Sequence, residues 1–324
     1  MTTQPLVQLR DVSKYFPVTR GAIMTRKIGD IKAVDRISFD IYAGETLGLV
    51  GESGCGKTTA GRVLLKLIEP TSGQIVYKDQ DITPLDKKRM APLRREMQII
   101  FQDPYASLNP RLTVGEAIGE PLVAHRMANR AQAKERVLEL LRVVGLAPFH
   151  YNRYPHEFSG GQRQRVGIAR SLVMNPKFIV ADEPVSALDV SIQAQIINLL
   201  QRIQDEYNLT FLFISHDLGV VRHLSNRVVV MYLGRLAELA ETEQLFAAPK
   251  HPYTQALLSA VPSVKHRKST SRVILSGEVP TPFNPPAGCR FHTRCPMVMD
   301  TCRTVEPTWQ DTGDGHFVAC HLFA

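Results

Sequence analysis

Apolar and polar residues alternate over positions 6–12 and again over 36–42, the period-two pattern of strands buried on one face. Positions 73–78 repeat the pattern beside a turn, so this part of the chain predicts an antiparallel sheet. A different texture marks Gln98 to Phe101, Phe178 to Ala181 and Thr210 to Ile214, where short continuous apolar runs stand between helical patterns. Parallel strands covered on both faces read this way, and they predict an α/β core. Residues from about Val114 to Leu146, including the charged and Leu-rich stretch Ala131 to Val144, read as helical and bring no strand of their own. They predict a helical insert over about 103–164. Beyond Leu245 the chain becomes Pro-rich, with Pro249, Pro252, Pro262, Pro280, Pro282, Pro285 and Pro286. This predicts an irregular appended segment and a boundary near 248, giving a domain over 1–248 and an extension over 249–324.

The 324 residues and 44 % hydrophobic content suffice for a large core with an appendage. No apolar run approaches the roughly 20 residues that span a bilayer. The first residues, Met-Thr-Thr-Gln-Pro, lack a basic stretch followed by an apolar one, so the expectation is no secretory leader and a cytoplasmic protein. A net charge of +8 suits nucleic acid or an anionic membrane face equally well. The cations are scattered among acids, with short runs only at Lys87-Lys88-Arg89 and Lys265 to Lys268, and no nucleic-acid partner is expected.

Chemistry enters at Gly51-Glu52-Ser53-Gly54-Cys55-Gly56-Lys57-Thr58-Thr59, which follows the apolar strand Thr46 to Val50 and leads into an amphipathic helix running towards Ile68. Glycines let backbone N–H groups turn inward around an anionic phosphate; Lys57 supplies a point charge to the β/γ oxygens and Thr58 a hydroxyl to Mg²⁺. Cys55 reads as a small residue within the loop. The strand Phe178 to Ala181 ends on two carboxylates, where a doubly wound sheet exposes its ligand crevice. Asp182 is placed to hold Mg²⁺ and Glu183 to activate the attacking water. Phe158-Ser159-Gly160-Gly161-Gln162 precedes a helix over Arg163 to Leu172, so Ser159 and its neighbours make a second anion-binding helix start.

Together these residues resemble the ATP-binding cassette ATPases, over about residues 6–248. The signature loop usually begins with Leu where this chain has Phe158, a conservative departure. The resemblance implies a P-loop core with an antiparallel β subdomain and a helical insert. It assigns Gln102 to the loop that contacts Mg²⁺ and relays movement to the insert, His216 to the γ-phosphate switch, and Ser186-Ala187-Leu188-Asp189 to the contact with an opposite subunit. Phe16, or else Tyr15, takes the place of the aromatic that stacks on adenine. Two such domains are expected head to tail, with ATP between the Lys57 loop of one and Ser159, Gly160, Gly161 and Gln162 of the other. The full catalytic set Glu183, His216 and Gln102 implies an active ATPase.

Gln102-Asp103-Pro104-Tyr105-Ala106-Ser107-Leu108-Asn109-Pro110 and His251-Pro252-Tyr253-Thr254-Gln255-Ala256-Leu257-Leu258 resemble ATPases of dipeptide and oligopeptide importers, with nickel importers as close relatives. That implies a second ATPase subunit, a paralogue, together with two membrane permease subunits and a peptide-binding protein, at the cytoplasmic face of a bacterial inner membrane.

Four of the five cysteines, Cys289, Cys295, Cys302 and Cys320, fall in the last 36 residues, with five, six and seventeen residues between them. In a reducing compartment such clustering predicts a ligand site stapling a segment without a core, and four thiolates fit zinc or a [4Fe–4S] cluster. Tight Cys-x-x-Cys pairs are missing, and the resemblance to peptide-importer ATPases favours iron–sulfur. Against the importer stand a nickel importer, a soluble cassette ATPase of translation or DNA repair, and a non-catalytic ATP-binding module. The second usually carries two cassettes or a long coiled coil, and the complete catalytic set argues against the third.

Overall fold

The computed structural model describes residues 4–20, 26–103, 108–260, 275 and 277–324. Pro104 to Ser107 of the peptide-importer motif, Pro262 and the Lys265 to Lys268 run lie outside them. The chain divides into two compact units, one formed by Met1–Pro84 with Ser215–Ala324 and the other by Leu85–Ile214. Residues 249–324 therefore fall in the same unit as the N-terminal strands.

In the first unit, β1 (Pro5–Arg20) and β2 (Arg26–Tyr42) form a long antiparallel pair that β4 (Ser72–Tyr77) and β5 (Gln80–Asp81) extend, in the order β2-β1-β4-β5. Val7, Leu9, Ile37, Ile41 and Ile75 are buried on one face, which is the alternation the sequence displays. Both long strands outrun the expected 6–12 and 36–42. Their register shifts between Leu9 and Val12, Val12 and Lys14, and Lys14 and Tyr15. Each bulge resets which face a side chain takes, so the period-two signal disappears while the ladder continues.

The same unit holds β3 (Thr46–Val50), parallel to β9 (Arg227–Tyr232), which pairs antiparallel with β10 (Arg235–Glu241). All five residues of β3 are buried, as are Val228, Val229, Val230 and Met231. Helix α1 (Lys57–Leu64) stops short of the expected Ile68. Lys66 takes a left-handed turn at φ 51° and sends its buried ammonium to the Thr83 carbonyl, 2.6 Å, and to Glu69. The Pro-rich segment is less irregular than its composition suggests. Helix α9 (Pro252–Ser259) follows, and β12 (Phe317–Val318) joins the edge of β10 while pairing with β11 (Gln310–Asp311). An open strand edge offers hydrogen bonds that even a two-residue strand can take up, a long-range opportunity that composition cannot reveal.

In the second unit β6 (Met97–Ile100), β7 (Phe178–Asp182) and β8 (Thr210–Ile214) run parallel, with Met97 beside Phe178 and Phe178 beside Thr210. Every residue of β7 and β8 is buried, each large side chain contributing about 1.5–3 kcal/mol relative to exposure. Helices α3 (Val114–Ala124) and α4 (Arg130–Val143) lie in the expected helical region, each begun by a reciprocal cap: Thr113 with Glu116 and Asn129 with Gln132. Helices α5 (Gly160–Leu172) and α6 (Val190–Tyr207) flank β7 in sequence. Among the described residues no helix is long and apolar enough to cross a membrane.

Candidate functional site

The site residues expected from the sequence divide between the two units. In the first, the loop from Gly51 to Gly56 links β3 to α1, and the backbone conformation requires its glycines. Gly56 sits at φ 110°, where a Cβ would lie 2.0 Å from the Ala33 carbonyl oxygen. Lys57 is 4 % exposed, and its ammonium donates to the Gly51 carbonyl at 2.8 Å and the Glu52 carbonyl at 3.0 Å. The charge is thus held over the loop by its own backbone carbonyls, which a phosphate can replace. Burial pushes the Cys55 thiol upward, so Cys55 packs as an inert small residue. Thr58 and Thr59 follow Lys57 in the first turn of α1.

His216 belongs to this unit. Ser215 donates its N–H to the Leu49 carbonyl at 3.2 Å, which ties the residue preceding His216 to the strand that feeds the phosphate loop. Asp217 caps α7 (Leu218–Leu224) by accepting from Gly219 and Val220, at 2.8 and 3.2 Å. The two aromatic candidates differ in their contacts. The Tyr15 hydroxyl donates to the buried Asp35 carboxylate at 2.6 Å, whereas the Phe16 ring carries the Lys14 ammonium 5.1 Å from its centroid. Burial raises Asp35, yet the hydrogen bond from Tyr15 and the charges of Arg235, Arg290 and Arg36 outweigh it and hold the carboxyl below its usual range.

In the second unit, β7 delivers Asp182, 1 % exposed, and then Glu183, whose φ of 46° is left-handed for a side chain that gains nothing from that conformation by itself. The turn is held from several sides. Glu183 donates its N–H to the Ile214 carbonyl at 3.0 Å, and its own carbonyl accepts from the Ser186 hydroxyl at 3.1 Å. Gln102, two residues after β6, donates its side-chain amide to the Glu183 carboxylate at 2.8 Å. Two expected catalytic residues, 81 positions apart, therefore meet directly.

Ser159 caps α5: its hydroxyl accepts from the Gln162 N–H at 3.3 Å while the Gln162 side chain accepts from the Ser159 N–H at 3.0 Å. A Cβ on Gly161 would lie 2.5 Å from Ile192, so the helix start packs closely on the first turn of α6. The segment Ser186, Ala187, Leu188 and Asp189 is steadied by Gln193, whose amide donates to the Val185 and Leu188 carbonyls at 3.1 and 3.0 Å. Sequence reading missed Gln193, because its partners are backbone oxygens that no residue pattern identifies.

Thr58 stands in the first unit and Gln102 and Asp182 in the second, and each carries an oxygen donor of the kind a hard dication prefers. The four clustered cysteines lie within electrostatic reach of one another. Burial foremost, with Cys302, Cys320 and Cys295 adding to it, pushes the Cys289 thiol up to about 11; burial and neighbouring thiols likewise raise Cys295 and Cys320. Cys289 also donates its N–H to the Cys302 carbonyl at 2.9 Å. Among the described residues, no three or more His, Cys, Asp or Glu side chains stand in a metal-holding arrangement.

Sequence reading also missed a clamp on the phosphate loop. The Tyr253 hydroxyl of α9 accepts the Glu52 N–H at 2.9 Å, and Arg294 grips the Glu52 carboxylate with both ends of its guanidinium, at 2.7 and 3.1 Å. Arg294 stands 242 positions from Glu52, and no local signal joins them.

Comparison with known proteins gives a consistent result. Residues 34–186 match the ABC transporter family model, and residues 237–302 match that of the oligopeptide/dipeptide transporter C-terminal region. The chain is 56 % identical to the oligopeptide transport ATP-binding protein AppF of Bacillus subtilis, over 99 % of this chain and 98 % of that one. It is 53 % identical to a putative peptide import ATP-binding protein of Brucella ovis, over 99 % and 98 % of the two chains. Among solved structures, the dimeric post-hydrolysis state of the ATP-binding cassette MJ0796 bound to ADP and Pi is similar, with a TM-score of 0.64 and 29 % identity, over 73 % of this chain and 98 % of that one.

Proposed function

The chain belongs to the ATP-binding subunits of the peptide ATP-binding cassette transporters, and from that premise we propose that it hydrolyses ATP to drive import of dipeptides or oligopeptides. The observation that carries the hydrolytic part is the hydrogen bond from Gln102 to Glu183 at the end of a buried strand. It leaves the Glu183 carboxylate oriented, as a base for water requires. Lys57 and the loop N–H groups hold the phosphates, Phe16 stacks on adenine, and His216 reads the γ-phosphate. Asp182, Thr58 and Gln102 would hold Mg²⁺, which would supply charge neutralisation to the triphosphate. Tyr15 is committed to Asp35, which favours Phe16 as the stacking ring.

Ser159 to Gln162 serve the ATP of a second ATPase subunit, a paralogue, and Ser186 to Asp189 meet that subunit. Val190, next to this segment and 81 % exposed, suits such an interface. Two membrane permease subunits and a peptide-binding protein complete the assembly, which places the chain peripherally at the cytoplasmic face of the bacterial inner membrane. Peptide is favoured over nickel by the match of residues 237–302.

A [4Fe–4S] cluster on Cys289, Cys295, Cys302 and Cys320 completes the proposal. Its support is the spacing of the four cysteines and their closeness in the fold, where Cys289 donates its N–H to the Cys302 carbonyl at 2.9 Å. Anaerobically purified protein is expected to absorb near 410 nm, roughly as such centres do; stoichiometric zinc and no iron would reject it. For the main reading, Glu183→Gln in membrane vesicles carrying the whole assembly is expected to abolish ATP turnover and peptide uptake while MgATP still binds. Undiminished turnover, or uptake of nickel in place of peptide, would refute it.

A further inference from the structure

The clamp on Glu52 has a physical consequence for nucleotide binding. A carboxylate at the second position of a phosphate-binding loop opposes the triphosphate that the loop exists to hold. Arg294 neutralises it through a two-pronged ion pair at 2.7 and 3.1 Å, from a side chain only 7 % exposed, where solvent screens little. The guanidinium in turn lies over the Tyr232 ring, 6.0 Å from its centroid, and Tyr232 packs against Tyr253 and Phe291 at 4.7 and 5.3 Å. The Tyr253 hydroxyl takes the Glu52 N–H, while the Gly51 carbonyl, in the same peptide unit, accepts from Lys57 at 2.8 Å. One peptide unit thus links the appended helix to the lysine of the phosphate loop.

We propose that Arg294 and Tyr253, both in the C-terminal region, are positioning residues of the nucleotide site: they hold the second residue of the phosphate loop and cancel its charge, so that this region sets the affinity for ATP. The inference rests on the loop being the phosphate site. It gives the C-terminal region a role in the ATP cycle beyond that of a transporter-type label.

Binding of MgATP and of AMP to the full-length chain, measured by calorimetry, tests it. Arg294→Gln is expected to bind MgATP about tenfold more weakly, the scale of one uncompensated charge near an anion site, and AMP almost normally. Adding Glu52→Gln in the same chain should recover most of the loss, because the opposing charge is gone. Equal MgATP affinity in Arg294→Gln and wild type, a parallel loss for AMP, or no recovery in the double variant would each overturn the proposal. Should Arg294→Gln fail to fold, Glu52→Gln alone decides: it is expected to bind MgATP at least as tightly as wild type, and weaker binding refutes the charge argument. Lys57→Ala provides the control. If it binds MgATP normally, the loop is not the phosphate site, a failure separate from that of the clamp.

Discussion

Replacing Glu238 with Ala should release the C-terminal region from the sheet. Glu238 sits on β10 with no exposure, and its carboxylate accepts from the Lys250 N–H at 2.6 Å, the His251 N–H at 2.9 Å and the His316 imidazole at 2.6 Å. Two of these donors lead into α9 and the third precedes β12, so one side chain fastens both ends of the appended segment. Hydrogen bonds to a charged acceptor contribute about 1.5–3 kcal/mol each, and donors stranded without water cost about 1–3 kcal/mol. Allowing for water entering the space vacated, Glu238→Ala should cost about 3–5 kcal/mol, in the range found when one partner of a buried ionic network is removed. Glu238→Gln keeps the volume and one acceptor but turns an NH₂ towards a donor, and should cost about 2 kcal/mol. The single tryptophan, Trp309, stacks on Phe317 at 5.9 Å and reports on this segment alone. Its fluorescence midpoint in urea should fall by about 1–2 M for the Ala variant, given a slope of about 2–3 kcal/mol per M. A midpoint within about 0.3 M of wild type would show that Glu238 does not fasten the segment.

His251, pushed down to about 4 by burial although Glu238 opposes the shift, binds its proton more readily in the unfolded chain. Its contribution is therefore complete above the ordinary value of about 6.5 and is lost as pH falls towards 4, by up to about 3 kcal/mol. His251→Asn, which retains a cap for α9, should flatten the Trp309-monitored stability over that window; an unchanged slope would count against it. Gly56→Ala forces a Cβ to 2.0 Å from the Ala33 carbonyl oxygen, at a cost of about 2 kcal/mol or more. A lowered melting temperature with weakened MgATP binding is expected, and a wild-type melt would refute the strain argument.

Much of the nucleotide chemistry was legible in the residues. A phosphate loop, a carboxylate pair after an apolar strand, and a Ser-Gly-Gly helix start are each specified within a few positions, because local backbone geometry and capping dictate the residue types. β7 and β8 were equally plain, since strands buried on both faces leave continuous apolar runs. The lengths of β1 and β2 were not, because bulges at Val12 and Lys14 cancel the alternation that marks a strand. Nor was the order within the Pro-rich segment, where β12 gains its partner from β10, some 79 positions earlier, as the pairing of Leu239 with Phe317 and Glu238 with Val318 shows.

The sequence by itself therefore marked this chain as an ATPase, through motifs each recognisable within a few positions. Only the tertiary structure decided what holds those motifs in place: Gln102 on Glu183, Glu238 under the appended segment, and Arg294 with Tyr253 on Glu52. Such partners are chosen by which surfaces the folded chain brings together, and a charge 242 residues away leaves no periodicity by which to find it.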